Sequence, residues 1–186
     1  MDMITRQQRK KEVTHKSIMH TAKGLFEQKG VNDVTIDDIT EKSDVSRSTF
    51  FNHFQSTNDL LIQIARQEIA ELIDAINEKK DGDVLKSLMH KLLEDTYPYP
   101  YLMFDFLTRG ILNEYKNKLE NNEYTEVLKI FEQQFDDDNK FKSREKTSIV
   151  LGSYFGFLIM KFIKKEKFDD LNEAKSFMNK IIEDLI

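Results

Sequence analysis

Residues 34–61, VTIDDITEKSDVSRSTFFNHFQSTNDLL, constrain this chain more than any other stretch. Ile36 and Ile39 lie three apart, the spacing that puts two apolar side chains on one face of a short helix, with Val34 just ahead. The turn Lys42-Ser43-Asp44-Val45 follows and is expected to bury one apolar residue. A second short helix begins at Ser46, with Phe50 and Phe54 four apart on its inward face, and a long helix starts near Ser56. Two short helices across a tight turn are a helix-turn-helix. The outward positions Arg47, Ser48, Asn52 and His53 are polar side chains of the kind that reach base edges and phosphates, so the pattern points to duplex DNA. Arg47, Ser48 and Asn52 are the expected base readers. Thr35, Ser46 and His53 are the expected phosphate contacts.

Local chemistry sets the same boundaries. Thr35-x-x-Asp38 and Ser56-x-x-Asp59 have the form of capping boxes, with the acid near the positive end of the helix dipole. Ser46 can cap the second helix, and Gly30 is a natural left-handed stop for a helix before it.

The run Ile18-Met19-His20-Thr21-Ala22-Lys23-Gly24-Leu25-Phe26-Glu27-Gln28-Lys29-Gly30, followed by Val34-Thr35-Ile36-Asp37-Asp38-Ile39, resembles the start of a TetR/AcrR-type DNA-binding domain. Val45-Ser46-Arg47-Ser48-Thr49-Phe50-Phe51-Asn52-His53-Phe54 is similar to that family's recognition helix, and Asp59-Leu60-Leu61 to the entry of its fourth helix. The resemblance covers residues 12–65, about a third of the chain, and its strength lies in the order and spacing of many positions together. It implies a dimer, a double-stranded operator, and a small-molecule effector bound in the C-terminal part. The chain departs from the family pattern at four places. Ser43-Asp44 replaces the usual Ala-Gly of the turn, where Asp tolerates the left-handed conformation. Ser48 stands where Gly is common. Phe51 replaces a Tyr that usually touches phosphate, and Thr57 replaces a Lys. The last two each remove a backbone contact that the family pattern would supply.

Composition bounds the rest. The chain has 186 residues, two prolines, six glycines and no cysteine. So few helix breakers imply an all-α protein, and the missing thiols exclude disulfides and thiolate metal sites and suit the cytoplasm. MDMITRQQRKK lacks the apolar centre of a signal peptide. Ile149–Met160 is uncharged, but Lys161, Lys164 and Lys165 end it short of the ~20 residues of a membrane span. It is expected to be a buried helix, with no membrane partner. The net charge of −5 is unevenly spread: residues 1–60 hold nine basic and nine acidic side chains, the remainder 19 and 24. Arg6, Arg9, Lys10 and Lys11 are expected to form a basic arm that touches phosphate or the minor groove.

Beyond Ser56 the helical period predicts helices over 56–79, 84–95, 102–119, 123–135, 144–164 and 171–185, with Tyr97-Pro98-Tyr99-Pro100-Tyr101 as a break. The domains are accordingly expected at 1–55, with the helix-turn-helix at 35–54, and at 56–186 for ligand binding and dimerisation. Around Ile149–Ile163 the helix is apolar nearly all round, so one face needs a partner. Gly152, Ser153, Gly156, Phe157 and Met160, with Phe177 and Ile181 of the last helix, are the expected dimer surface. Tyr97, Tyr101, Phe104, Phe106 and Arg109 suit the wall of an apolar ligand pocket with a few polar groups.

His15, His20, His53 and His90 form no i,i+4 pair, so a helical zinc site has no support, and no cofactor is expected. Asp136-Asp137-Asp138-Asn139 hints at calcium, but Phe141 stands where the loop needs glycine, and a solvated turn is expected. No phosphate loop or nucleophile setting occurs, so an enzyme is not expected. The chain therefore predicts an all-α protein with an N-terminal three-helix helix-turn-helix domain and a C-terminal helical ligand-binding and dimerisation domain, acting as a repressor released by a small molecule. A helical small-molecule binding protein with weak or vestigial DNA binding is the alternative.

Overall fold

The computed structural model describes residues 5–78, 84–111, 123–138, 140–164 and 170–185. Among these the regular structure is entirely helical: α1 (Arg6–Lys29), a single 3-10 turn (Val31–Asp33), α2 (Ile36–Lys42), α3 (Arg47–Phe51), α4 (Thr57–Glu78), α5 (Val84–Thr96), α6 (Pro100–Ile111), α7 (Glu123–Glu132), α8 (Ser143–Lys164) and α9 (Leu171–Glu183). Most ends fall within a residue or two of the sequence expectation, the usual uncertainty of a helix terminus. The expected extension of α6 to Leu119 lies outside the described residues.

Two starts differ from expectation, each for a local reason. Arg6, Arg9, Lys10 and Lys11 do not form an arm; they are the first turns of α1. A reciprocal cap begins the helix there: the Thr5 amide donates to Gln8 Oε1 at 2.8 Å, and the Gln8 amide donates to Thr5 Oγ1 at 3.2 Å. Helix α6 resumes at Pro100 rather than Leu102, because a proline at the first helical position gives up an amide that would have had no partner.

The chain divides into two compact units: residues 1–65 with 101–107, and residues 66–100 with 108–186. In the first, Ile18, Ala22 and Phe26 of α1, Ile39 of α2, Phe50, Phe54, and Leu60, Leu61 and Ile64 of α4 are almost wholly buried. The reciprocal cap expected at Thr35 and Asp38 is present, at 3.1 Å and 2.9 Å. At the turn Asp44 takes φ 53°, Val45 is half-buried, and the Val45 amide returns to the Thr40 carbonyl at 3.0 Å. Ser56 caps α4 by accepting from the Asp59 amide at 3.0 Å, while Asp59 takes the Gln55 amide at 2.8 Å.

In the second unit α9 packs against both α5 and α8, and α7 packs against α8. Leu85, Leu88, Met89 and Leu93 of α5, Val150, Tyr154 and Leu158 of α8, and Ala174, Met178 and Ile182 of α9 form the core. Thr96 donates its hydroxyl to the Leu92 carbonyl at 2.6 Å, so the Tyr154 hydroxyl donates to Thr96 at 2.5 Å. Burial pushes the Tyr154 hydroxyl well above its ordinary pKa, and it stays neutral. Among the described residues, α8 alone is long and apolar enough to pass for a membrane span. Its nearly buried Lys146 and Lys161 are paired with Asp138 at 2.8 Å and Glu173 at 2.6 Å, an arrangement suited to a helix packed within protein. Asp138 also accepts the Lys140 and Phe141 amides, so the acidic run is a self-satisfied turn.

The left-handed backbone at residue 44 gives a direct test. Asp44→Gly should leave the unfolding midpoint unchanged or raised. Asp44→Val should cost about 1–3 kcal/mol in denaturant melts, and equal behaviour of the two would contradict this account of the turn.

Candidate nucleic-acid interface

Helix α3 is five residues long, too short to persist alone, and neighbouring groups hold it at both ends. Ser46 accepts the Thr49 amide at 3.0 Å, and Phe50 and Phe54 bury their rings 5.6 Å apart. His15 of α1 stacks on Phe54 at 4.6 Å. What remains outward is Arg47, Ser48, Phe51 and Asn52, all exposed.

The expected DNA-contacting residues are in distinct states. Arg47 reaches across to α2, its Nη1 donating to both carboxylate oxygens of Asp37 at 2.8 Å and 3.0 Å. Both side chains are well over half exposed, so this pair is weak and easily exchanged for another acceptor. Ser48 and Ser46 share a hydroxyl contact at 2.8 Å, and Asn52 caps the C-terminus of α3. Thr35 is less open: its amide and its hydroxyl both donate to Asp38, which Lys29 also holds at 2.5 Å. The Lys29 ammonium, with the Thr35 donors, keeps the Asp38 carboxyl far below its usual pKa. His53 turns toward α1, its ring 5.5 Å from that of His15. Burial, then nearby Lys11, lowers the His53 pKa. Burial, then His53 and Lys11, lowers that of His15 against an opposing pull from Asp59. Lys11 of α1 is thus within electrostatic reach of His53, two residues after α3.

Sequence reasoning missed Glu27. Its half-buried carboxylate accepts the Leu102 amide at 3.0 Å and that of Tyr101, so α1 caps the first turn of α6. Burial raises the Glu27 pKa against these bonds. No local pattern flags such a cap, because donor and acceptor lie 75 residues apart. Asp37 was also passed over as a partner of Arg47.

The other expected sites are dispersed. Of the pocket residues, Tyr101, Phe104 and Phe106 fall in the first unit, with Tyr101 exposed and Phe106 buried. Tyr97 belongs to the second unit, where its hydroxyl donates to the Asp170 carbonyl at the start of α9. The Arg109 side chain lies outside the described residues. On α8 and α9, Gly152, Met160 and Phe177 are exposed, and Ser153, Gly156, Phe157 and Ile181 half-exposed. Phe157 and Phe177 stack at 5.5 Å.

A short capped helix, seated on two phenylalanines and presenting Arg47, Ser48 and Asn52, defines a helix-turn-helix protein. Residues 18–64 match the family model of bacterial regulatory proteins, tetR family. The TetC protein of transposon Tn10 from Escherichia coli is 31% identical over 81 residues, 44% of this chain and 41% of that protein. The dhaKLM operon transcriptional activator DhaS of Lactococcus lactis is 32% identical over 66 residues, 36% of this chain and 35% of its own. These alignments span only about two fifths of the curated relatives' length. Among solved structures, a transcriptional regulator of Aquifex aeolicus has the same fold over 93% of this chain and 99% of its own, with a TM-score of 0.71 at 21% identity. Residues 18–64 are therefore similar to the DNA-binding part of tetR-family regulatory proteins, and the chain as a whole has the fold of such regulators.

The paired histidines make the reader acid-sensitive. A histidine whose pKa is lowered on folding binds its proton more readily when unfolded, so stability is full above about pH 6.5 and falls as pH drops toward the lowered folded values. Melts between pH 7.5 and 5 should therefore show a steeper loss for the native chain than for His15→Asn. Parallel curves would exclude the pair as the cause.

Proposed function

We propose that the protein is a sequence-specific DNA-binding transcriptional regulator, a homodimeric repressor released from its operator by a small molecule in the cytoplasm. The observation that carries this reading is the outward face of α3, with Arg47, Ser48 and Asn52 exposed above buried Phe50 and Phe54. Arg47 is charged, planar and held only by an exposed carboxylate, so it can exchange Asp37 for the O6 and N7 acceptors of a guanine. Ser48 and Asn52 read neighbouring base edges. Ser46 and His53 supply phosphate contacts, as does Thr35 where a phosphate displaces Asp38. Lys11 and the basic turn before it add charge that steers the duplex.

Dimerisation is proposed through α8 and α9. Ile159, Met160, Ile163 and Phe177 are large apolar side chains between 38% and 70% exposed, an area that a second copy would remove from water. Gly152, Ser153 and Gly156 lie on α8, where small residues allow a second helix to approach closely. Ile163→Glu combined with Met160→Glu should convert the dimer to monomer in sedimentation velocity and sharply weaken operator binding. A dimer that survives both changes would move the interface elsewhere.

Release follows from a shift between two dimer shapes, one of which fits successive major grooves. The effector is proposed to be a small molecule bound by the C-terminal part. Helices α4 and α6 have residues in both compact units and are the proposed route of coupling, with Glu27 holding the first turn of α6.

The test is fluorescence anisotropy on tiled DNA from around the gene, at several salt concentrations and with random duplex as competitor. One tile should bind tightly with a steep salt slope, and Arg47→Ala should cost about 1–3 kcal/mol there and relax discrimination. Weak binding that is equal on every duplex, by a protein that still binds a small molecule, would favour a ligand-binding body with a vestigial reader. DhaS is named an activator. The sign is therefore read separately, from a promoter fusion that should rise when the gene is deleted.

A further inference from the structure

Phe51 is the one large apolar side chain of the helix-turn-helix that stays half in water among the described residues, at 50% exposure. Four residues after Arg47, it lies on the same face of α3 as that residue, and the adjacent Asn52 at the helix end is exposed as well. Its ring is fixed rather than free: it meets the buried ring of Phe50 edge to face, at 5.6 Å and 86°. An apolar ring held rigidly among three polar readers leaves hydrated area that binding can cover at little entropic cost. A phenyl group has no donor for a phosphate oxygen. The apolar group that a base pair offers in the major groove is the C5 methyl of thymine.

We infer that Phe51 is a specificity-determining residue that reads a thymine methyl group in the major groove of each half-site. The inference rests on the DNA-binding reading above and adds to it a base preference that the polar residues do not supply. Arg47 selects acceptors and Asn52 selects a paired donor and acceptor, whereas Phe51 selects a methyl group by burying it.

The test begins with operator sequences selected by the full-length protein from a randomised duplex pool. Each thymine is then replaced in turn by deoxyuridine, which lacks only the methyl group, and affinity is measured by anisotropy. One thymine per half-site should weaken binding about threefold to fivefold when demethylated, the scale of one buried methyl group. Phe51→Ala should bind less tightly and be indifferent to that exchange, while Phe51→Leu should keep part of the sensitivity. Unchanged melting temperatures would exclude misfolding as the cause. Sequence selection without any methyl-sensitive thymine would overturn this inference and leave the regulator reading intact. So would Phe51→Tyr tightening binding equally on every duplex, since the ring would then sit against a phosphate. A pool that yields no enriched sequence would sink the DNA-binding reading and this inference with it.

Discussion

Burial of Phe50 and Phe54 is the interaction on which the reader depends. A helix of five residues cannot repay its own nucleation, so α3 depends on the burial of Phe50 within it and of Phe54 just after it. With Phe50 and Phe54 anchored, the positions between and just ahead of them turn away from the core, and Arg47, Ser48, Phe51 and Asn52 are exposed. The chemical face of α3 is thus a by-product of its core. Stacking of His15 on Phe54 extends the same logic to α1.

Charge on the reader is organised in a different way from its core. Lys29 with Asp38 and Arg47 with Asp37 are exposed pairs between elements, and neither holds the fold in a way that hydrophobic burial does. Their value lies in keeping long side chains in defined places at low cost. Asp37 parks the guanidinium of Arg47 without burying it, which leaves the group available. Asp38 is used more fully, accepting from Lys29 and from both donors of Thr35, and so serves the helix end more than any outside partner.

Much of the reader was legible in the sequence because its determinants are local. Thr35, Ser46, Ser56 and the left-handed turn at Asp44 each act within four residues; the first two and the turn behave as expected, while at Ser56 the reciprocal bond runs from Gln55 to Asp59. The basic N-terminal segment is a helix and not the expected arm because Thr5 and Gln8 form a capping box, a local signal that outweighs the repulsion of its charges. Glu27 was invisible for the opposite reason, its partner being a backbone amide far along the chain. The exposure of Phe51 could not be read either, since periodicity gives a direction and the presence of neighbours decides burial. In the C-terminal part, patterning gave helices and an apolar excess on α8, but nothing in linear order says where Tyr97 and Phe106 fall, and they belong to different compact units.

The cap that Glu27 places on α6 makes the reader a discontinuous object. Its compact unit is completed by residues 101–107, a stretch in which Leu102, Met103 and Phe106 are buried. A chimaera that joined the first 65 residues to another body would leave the Glu27 carboxylate without its two amides, and the half-buried charge would have to find water or a proton. Exchanging readers between such proteins is therefore a matter of transplanting two segments of chain, and the fragment that looks portable on the page is missing its keystone.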